Sequence, residues 1–487
     1  MKSTLIKRPI YFYIKNKRKI VAIGICFSIL FCVVFREFNI IQCCTEKRTS
    51  NSIELFHGGV QRNYNKSEDF LTQCYLQKLR NVDCQKLSMG NWRELLNIRR
   101  NMQYHKMDYK CSLSHLAENC KVLKSVHNYI TEVNTILSDE LEFPLAFAIK
   151  MHKNPEQAEQ LLRTIYRPHN VYCIYVDKKA QTNVYNLMKN IGNCFENVFV
   201  VENRINIVYS SINLIEAELE CMRILLKTNY TWKYYINLTG QEFPLKTNLE
   251  IVKILQRLNG VNDIESYDFP LTYQQRYTKE HVIKDGVIIK TKHLKHSFIK
   301  RFQMSKGSAY GTFSRPFIEF ILSDDIAGTF LNWLNGSYAP EESAWATLNS
   351  LPWAPGGYPR EIRHAANSFL SRAIVWSWDG LKCSGHYVRG ICIYGPGDLP
   401  WLLSRSELFA NKFDMERDPV VMDCLEELLG QRSKQNTIGN LNWSLYNSLP
   451  HVAYYSKITP FQQSKEYLLR QKQIWLKEHN ISIYNTS

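Results

Sequence analysis

Adjacent glutamates, Glu341 and Glu342, stand in YAPEESAWATLNS behind Pro340, at an expected helix start with Trp345 packing below. A carboxylate so placed can act as a general base toward an attacking hydroxyl. One base suffices for inversion at a sugar carbon, whereas a retaining double displacement needs a second carboxylate as nucleophile. The pair reads equally as first-turn acids that complement a helix dipole. Two cations offer a second chemistry: Arg389 in the Gly-rich, cysteine-flanked stretch CSGHYVRGICIYGPGDLPWL and Lys412 in FANKFD. Arg forks onto phosphate and Lys supplies a point charge, so the two could offset a diphosphate, or each could be a structural or solvated cation. No Asp-x-Asp occurs in the chain, so no metal-bridging carboxylate pair of that type is on hand and a metal-free site is expected. Trp376 and Trp378 in IVWSWDG present ring faces suited to stacking, with core packing as the alternative for one of them.

These residues need a scaffold, and its signs begin at Phe143. Pro144 to His152, Val171 to Asp177, Asn197 to Glu202 and Trp232 to Gly240 read as strands. Helical spacing follows the first of them at Ala158, Leu161, Leu162, Ile165 and Tyr166, and a long helix is expected from Ser211 to Lys227. Thr247 and Glu250 have capping-box spacing. Strands alternating with such helices imply parallel pairing and right-handed crossovers, hence a doubly wound α/β half that binds ligands at the strand C-termini. Asp177 ends the second strand, where it would hold a ribose or base, or cap the next helix. Beyond residue 260, Gly, Pro and aromatic residues suggest mixed strands and long loops on an acceptor side.

Outside that body, residues 1–19 read as a cytosolic tail and 20–36 as a signal-anchor. The apolar run follows the basic stretch Lys15 to Lys19 and is just long enough for a thin bilayer at about 1.5 Å per residue. A cleaved signal peptide is the alternative. Residues 37–135 are polar and poorly periodic and read as a lumenal stem, 136–430 as the catalytic body, and 431–487 as a polar, peripheral extension. The 14 cysteines suit an oxidising lumen, and Asn65, Asn229, Asn335 and Asn442 are N-glycosylation sequons. Asn237 also heads a sequon, but an apolar strand leaves it unmodified. The net charge of +16 is dispersed and the compartment argues against nucleic acid, leaving a bias toward anionic partners such as nucleotide diphosphates.

From Phe143 to Leu429 the chain resembles the core 2 and I-branching β-1,6-N-acetylglucosaminyltransferases, relatives of the xylosyltransferases. The landmarks are FPLAFAIKMHK, YRPHNVYCIYVDKKA, CFENVFVVE, WKYYINLTGQEFPLKTNLEIV, GSAY, APEESAWATLN, the segment around Arg389 and LFANKFDMERDP. The resemblance implies a GT-A-like fold in the Golgi membrane that transfers GlcNAc from UDP-GlcNAc with inversion and without a metal or other cofactor. Galβ1-3GalNAc O-glycans on glycoproteins are the expected acceptor, poly-N-acetyllactosamine or a non-catalytic lumenal lectin the alternatives. It places the base on Glu342, where relatives carry Asp rather than Glu341 before it. Donor binding falls on Asp177, Tyr209, Arg389 and Lys412, and acceptor binding on Glu265, Arg276, Trp376 and Trp378. Two positions depart from the core 2 pattern: Tyr273 stands where a Lys is expected in the acceptor loop, and Trp378 replaces a Tyr. By the same resemblance Cys84 pairs with Cys424, Cys120 with Cys194, Cys173 with Cys221 and Cys383 with Cys392. Cys43, Cys44, Cys74 and Cys111 remain for a disulfide-linked homodimer through the stem.

Overall fold

The computed structural model describes residues 82–101, 112–299, 302–362 and 369–481. The expected tail, anchor and stem as far as residue 81, with Asn65, Cys43, Cys44 and Cys74, lie outside them, as does Cys111. Among the described residues no helix is long and apolar enough to cross a membrane.

Four parallel strands form the heart of the sheet: β1 (Leu145–Met151), β2 (Val171–Val176), β3 (Val198–Val200) and β4 (Tyr234–Thr239), in the order β3-β2-β1-β4. Gly311–Ser314 adds antiparallel beside β4, and Asp263–Ile264 closes that edge. Because both faces are covered, β2 is apolar throughout and β1 is so except for Lys150, which pairs with Glu218. The two-residue period then sorts them. Leu145, Phe147 and Ile149 point into one layer with Leu161, Leu162 and Ile165 of the helix Pro155–Ile165. Ala146 and Ala148 point into the other, with Ile215, Cys221, Met222 and Leu225 of the helix Asn213–Leu226. The result is a mixed α/β architecture built on a parallel sheet.

The expected strands and helices lie within a few residues of those observed, and the capping box is present in full. Thr247 Oγ1 accepts from Glu250 N at 3.2 Å, and Glu250 Oε2 accepts from Thr247 N at 2.8 Å. Thr247→Ala is expected to lower the unfolding free energy by about 1 kcal/mol, read by denaturant titration.

Both expected flanking boundaries need correction. The region given to the stem contributes the helices Cys84–Ser88, Trp92–Asn101, Leu113–Leu116 and Cys120–Val126 to the body. Cys84, Leu87 and Ile98 share an apolar cluster with Val421 and Leu425, while Leu113, Leu116 and Leu123 join the main core. Each of these helices buries only one or two side chains, so its composition stays polar. Disulfides Cys84–Cys424 and Cys120–Cys194 tie this region to distant elements, and closing such long loops limits the unfolded chain. The C-terminal extension is likewise integral: Tyr446, Leu449, His451 and Leu476 are buried, and Trp475 packs on Trp353 at 5.1 Å.

Candidate active site

Asp177 follows β2 directly, at the C-terminal end of the parallel strands. Its Oδ1 accepts from Lys179 N at 2.9 Å and Ile207 N at 3.2 Å. The following helix, Thr182–Gly192, has Gln181 as its N-cap, so Asp177 does not cap it. It instead joins two loops at the C-terminal end of the sheet, the end at which doubly wound sheets bind ligands.

Arg389 is presented by a hairpin. His386–Val388 pairs with Ile391–Ile393 across two residues that both have positive φ, Arg389 at 52° and Gly390 at 80°. That geometry matches the right-handed strand twist, and the disulfide Cys383–Cys392 braces it. A Cβ on Gly390 would lie 3.0 Å from the Trp378 ring, so close packing as well as backbone conformation calls for glycine. The Arg389 guanidinium lies 4.9 Å from the centroid of Tyr209, whose side chain is otherwise exposed. Lys412 follows the strand Phe409–Asn411, and its backbone is held to Cys392 and Tyr394. Burial lowers the Lys412 pKa, and the neighbouring charges of Arg389 and Lys153 lower it further against the opposing pull of Asp414. A half-buried lysine repelled by an exposed arginine beside it forms a site that an anion would relieve.

Glu341 and Glu342 open the helix Glu341–Asn349. Arg276 Nη1 lies 2.6 Å from Glu342 Oε2, and Lys306 Nζ lies 3.0 Å from the same oxygen. Burial alone would raise the Glu342 pKa, but Lys306 and Arg276 outweigh it and hold the carboxyl below the usual range. Glu341 goes the other way: burial, with the adjacent Glu342 charge, pushes it up to about 7, and its enclosed Oε2 has no hydrogen-bond partner. The two carboxyls are therefore distinguished by their surroundings, and Glu342 is the one held ionised. The peptide N of Ala339 donates to Ser210 O at 2.8 Å, linking this helix start to the Tyr209 segment. Ala339 and Ser210 both have positive φ, 47° and 59°, which places backbone strain beside the site.

Glu265 follows the edge strand, and burial raises its pKa against the opposing charge of Lys306. Arg276 rests against Tyr273 at 4.6 Å and Tyr338 at 5.5 Å. Trp376 and Trp378 stack at 4.8 Å with an interplanar angle of 16°. Neither is a core residue: Trp376 is half-buried and Trp378 is 69% exposed, so the expectation of core packing for one of them is corrected. Their backbone is fixed by Asp379, which accepts from Trp376 N at 2.9 Å.

A profile of the core-2/I-branching enzyme family matches residues 145–403. The β-1,3-galactosyl-O-glycosyl-glycoprotein β-1,6-N-acetylglucosaminyltransferase 3 of Homo sapiens is 32% identical over 375 residues, 74% of this chain and 85% of that one. The chain belongs to the core-2/I-branching enzyme family. Transferase 4 of Danio rerio is 36% identical over 315 residues, covering 62% of this chain and 73% of its own.

Several residues of this core-2/I-branching family site escaped the sequence reading. Lys306 adjoins the GSAY landmark, yet nothing local marks it as a partner of Glu342. Tyr310 is buried beside the Lys412 strand, where its hydroxyl accepts from Asn411 Nδ2 at 3.3 Å. Arg372 and Glu242 form a fully buried pair at 2.9 Å, and Glu242 also accepts from Asn411 Nδ2 at 2.9 Å. This pair joins the end of β4 to the strands Phe409–Asn411 and Arg372–Ile374, which set the height of Lys412. The disulfide Cys173–Cys221 fastens β2 to the helix Asn213–Leu226. Cys383, Cys392 and Asp398 approach one another, but both sulfurs belong to the disulfide and offer no thiolate. Of the described sequons, Asn229, Asn335 and Asn442 are exposed. Asn237 is 1% exposed and its amide donates to Ala309 O at 2.9 Å, closing it to modification.

Proposed function

We propose that the protein transfers GlcNAc from UDP-GlcNAc to the C6 hydroxyl of an O-glycan acceptor, with Galβ1-3GalNAc as the leading acceptor. The observation that carries this reading is the carboxylate of Glu342, held ionised by two cations, together with the cation pair Arg389 and Lys412, which neighbours the Glu342 helix through Tyr209 and the bond from Ala339 N to Ser210 O. The acceptor O6 attacks C1 of GlcNAc and forms the new bond. The C1 to phosphate-oxygen bond breaks, its electron pair leaves on UDP, and the hydroxyl proton passes to Glu342. Arg389 and Lys412 neutralise the departing diphosphate, a role a metal ion takes in other designs. One base gives inversion, so an α-linked donor yields a β-1,6 branch.

Asp177 and Tyr209 border the donor, and Glu265, Arg276 and the stacked tryptophans border the acceptor. Trp378→Ala is expected to raise the acceptor KM about fivefold with little change in the donor KM, as the loss of about 1 kcal/mol of ring stacking requires. The run 20–36 anchors the protein in the Golgi membrane as a type II chain with its catalytic body in the lumen.

The test is transfer from UDP-GlcNAc in EDTA to a panel of Galβ1-3GalNAc, lactosamine chains and a peptide. Product on Galβ1-3GalNAc supports the reading, and product only on lactosamine assigns I-branching. A strict need for Mn²⁺ overturns the metal-free mechanism, and no transfer at all favours a lumenal lectin or scaffold.

A further inference from the structure

Lys306 is a lysine almost withdrawn from water, at 8% exposure, in the middle of the acceptor side. Its ammonium has two internal oxygen partners. They are Gly307 O at 2.8 Å and Glu342 Oε2 at 3.0 Å, and the Tyr267 ring centroid lies 5.5 Å from Nζ. So enclosed, Lys306 is directed at Glu342 rather than at solvent.

Its mounting is rigid. The two-residue strand Ser305–Lys306 pairs antiparallel with Tyr267–Asp268. On its other side, Ser305 N donates to Thr347 Oγ1 at 3.0 Å, and Gly307 N donates to Glu342 O at 2.7 Å. Both bonds sew the strand to the helix that carries Glu342. A Cβ on Gly307 would fall 1.9 Å from Glu265 O, so this backbone is wedged between the acceptor segment and the catalytic helix. Arg276 reaches the same carboxylate from the short helix Gln275–Thr278, held between aromatic rings.

Both cations take Oε2, and among the described residues Oε1 accepts no hydrogen bond. We propose that Lys306 is a positioning residue for the transfer: it ties down Oε2 of Glu342 and turns Oε1 toward the attacking hydroxyl. The acceptor loop itself supplies no second cation, since Tyr273 stands there and packs on Arg276. The strand supplies it instead. This inference rests on Glu342 being the base.

The charged and titratable groups facing Glu342 are Arg276, Lys306, Glu265, Tyr267 and, on its own helix, Glu341. Removing the Lys306 charge leaves Arg276 alone against burial and the two acids, so the base must titrate at higher pH. The test uses the full-length chain in detergent, with Lys306→Met, Lys306→Arg and Glu342→Gln, assayed for GlcNAc transfer across the pH range. For Lys306→Met the ascending limb of kcat should move up by about one pH unit. Its kcat should fall about tenfold on the acid side and recover in part as pH rises, with the donor KM unchanged. Lys306→Arg should restore the limb toward its original position. An unmoved limb and unchanged kcat in Lys306→Met, beside an inactive Glu342→Gln, would overturn the positioning role while leaving the base in place. Retained activity in Glu342→Gln would instead remove the base assignment beneath it. UDP-induced thermal stabilisation shows that each variant is folded, and Lys306→Gln carries the same test should Lys306→Met fail to fold.

Discussion

Glu342→Gln is expected to lose about a thousandfold in kcat while still binding UDP-GlcNAc as the wild type does. The amide keeps the shape of the side chain and one hydrogen-bond acceptor toward Arg276 and Lys306, but it cannot take a proton. The attacking hydroxyl then has to expel its proton to water, and the loss should appear in kcat rather than in the donor KM. The substitution also has a stability signature whose sign follows from the pKa direction. In the folded chain the Glu342 carboxyl is held below its ordinary value, so the wild type binds fewer protons there than the unfolded chain does. Its contribution to stability is full above the unfolded pKa and is lost as pH falls through the folded one. The gap in melting temperature between wild type and Glu342→Gln should therefore narrow on acidification. A gap that widened would mean that Glu342 is neutral in the folded enzyme.

The glutamate pair shows where sequence reading stops. Adjacent acids after a proline announce a helix start and a possible base, but which of them ionises depends on cations that arrive from Arg276 and Lys306, far away in the chain. No local pattern encodes that meeting. The parallel strands were legible for the opposite reason: burial on both faces forces an apolar run, and that run is local. Asp177 was legible as a strand-end residue, and the structure removes its capping alternative because the next helix begins at Thr182. The segments before residue 135 and after 430 misled because their helices bury few side chains each. Their attachment relies on cystines and on contacts such as Trp475 with Trp353, neither of which leaves a periodic signal.

The cation pair yields the second large effect, and its direction differs between activity and stability. Arg389→Ala combined with Lys412→Met should lower kcat/KM about a hundredfold or more, because the diphosphate would leave without charge compensation from either side chain. The same change should leave the melting temperature equal or slightly higher. Lys412 is half-buried, its charge is disfavoured by burial and by Arg389, and Arg389 itself sits at a φ of 52° in a tight turn. Removing these charges removes a repulsion that the unliganded fold carries for the sake of its ligand, a common trade between stability and function. Thermal melts with and without UDP separate the two contributions. The wild type should gain stability on adding UDP, whereas the double variant should start at or above the wild-type value and gain almost nothing. A double variant that melted lower yet kept its full UDP response would show that Arg389 and Lys412 brace the hairpin against the strand Phe409–Asn411 and do not hold the diphosphate.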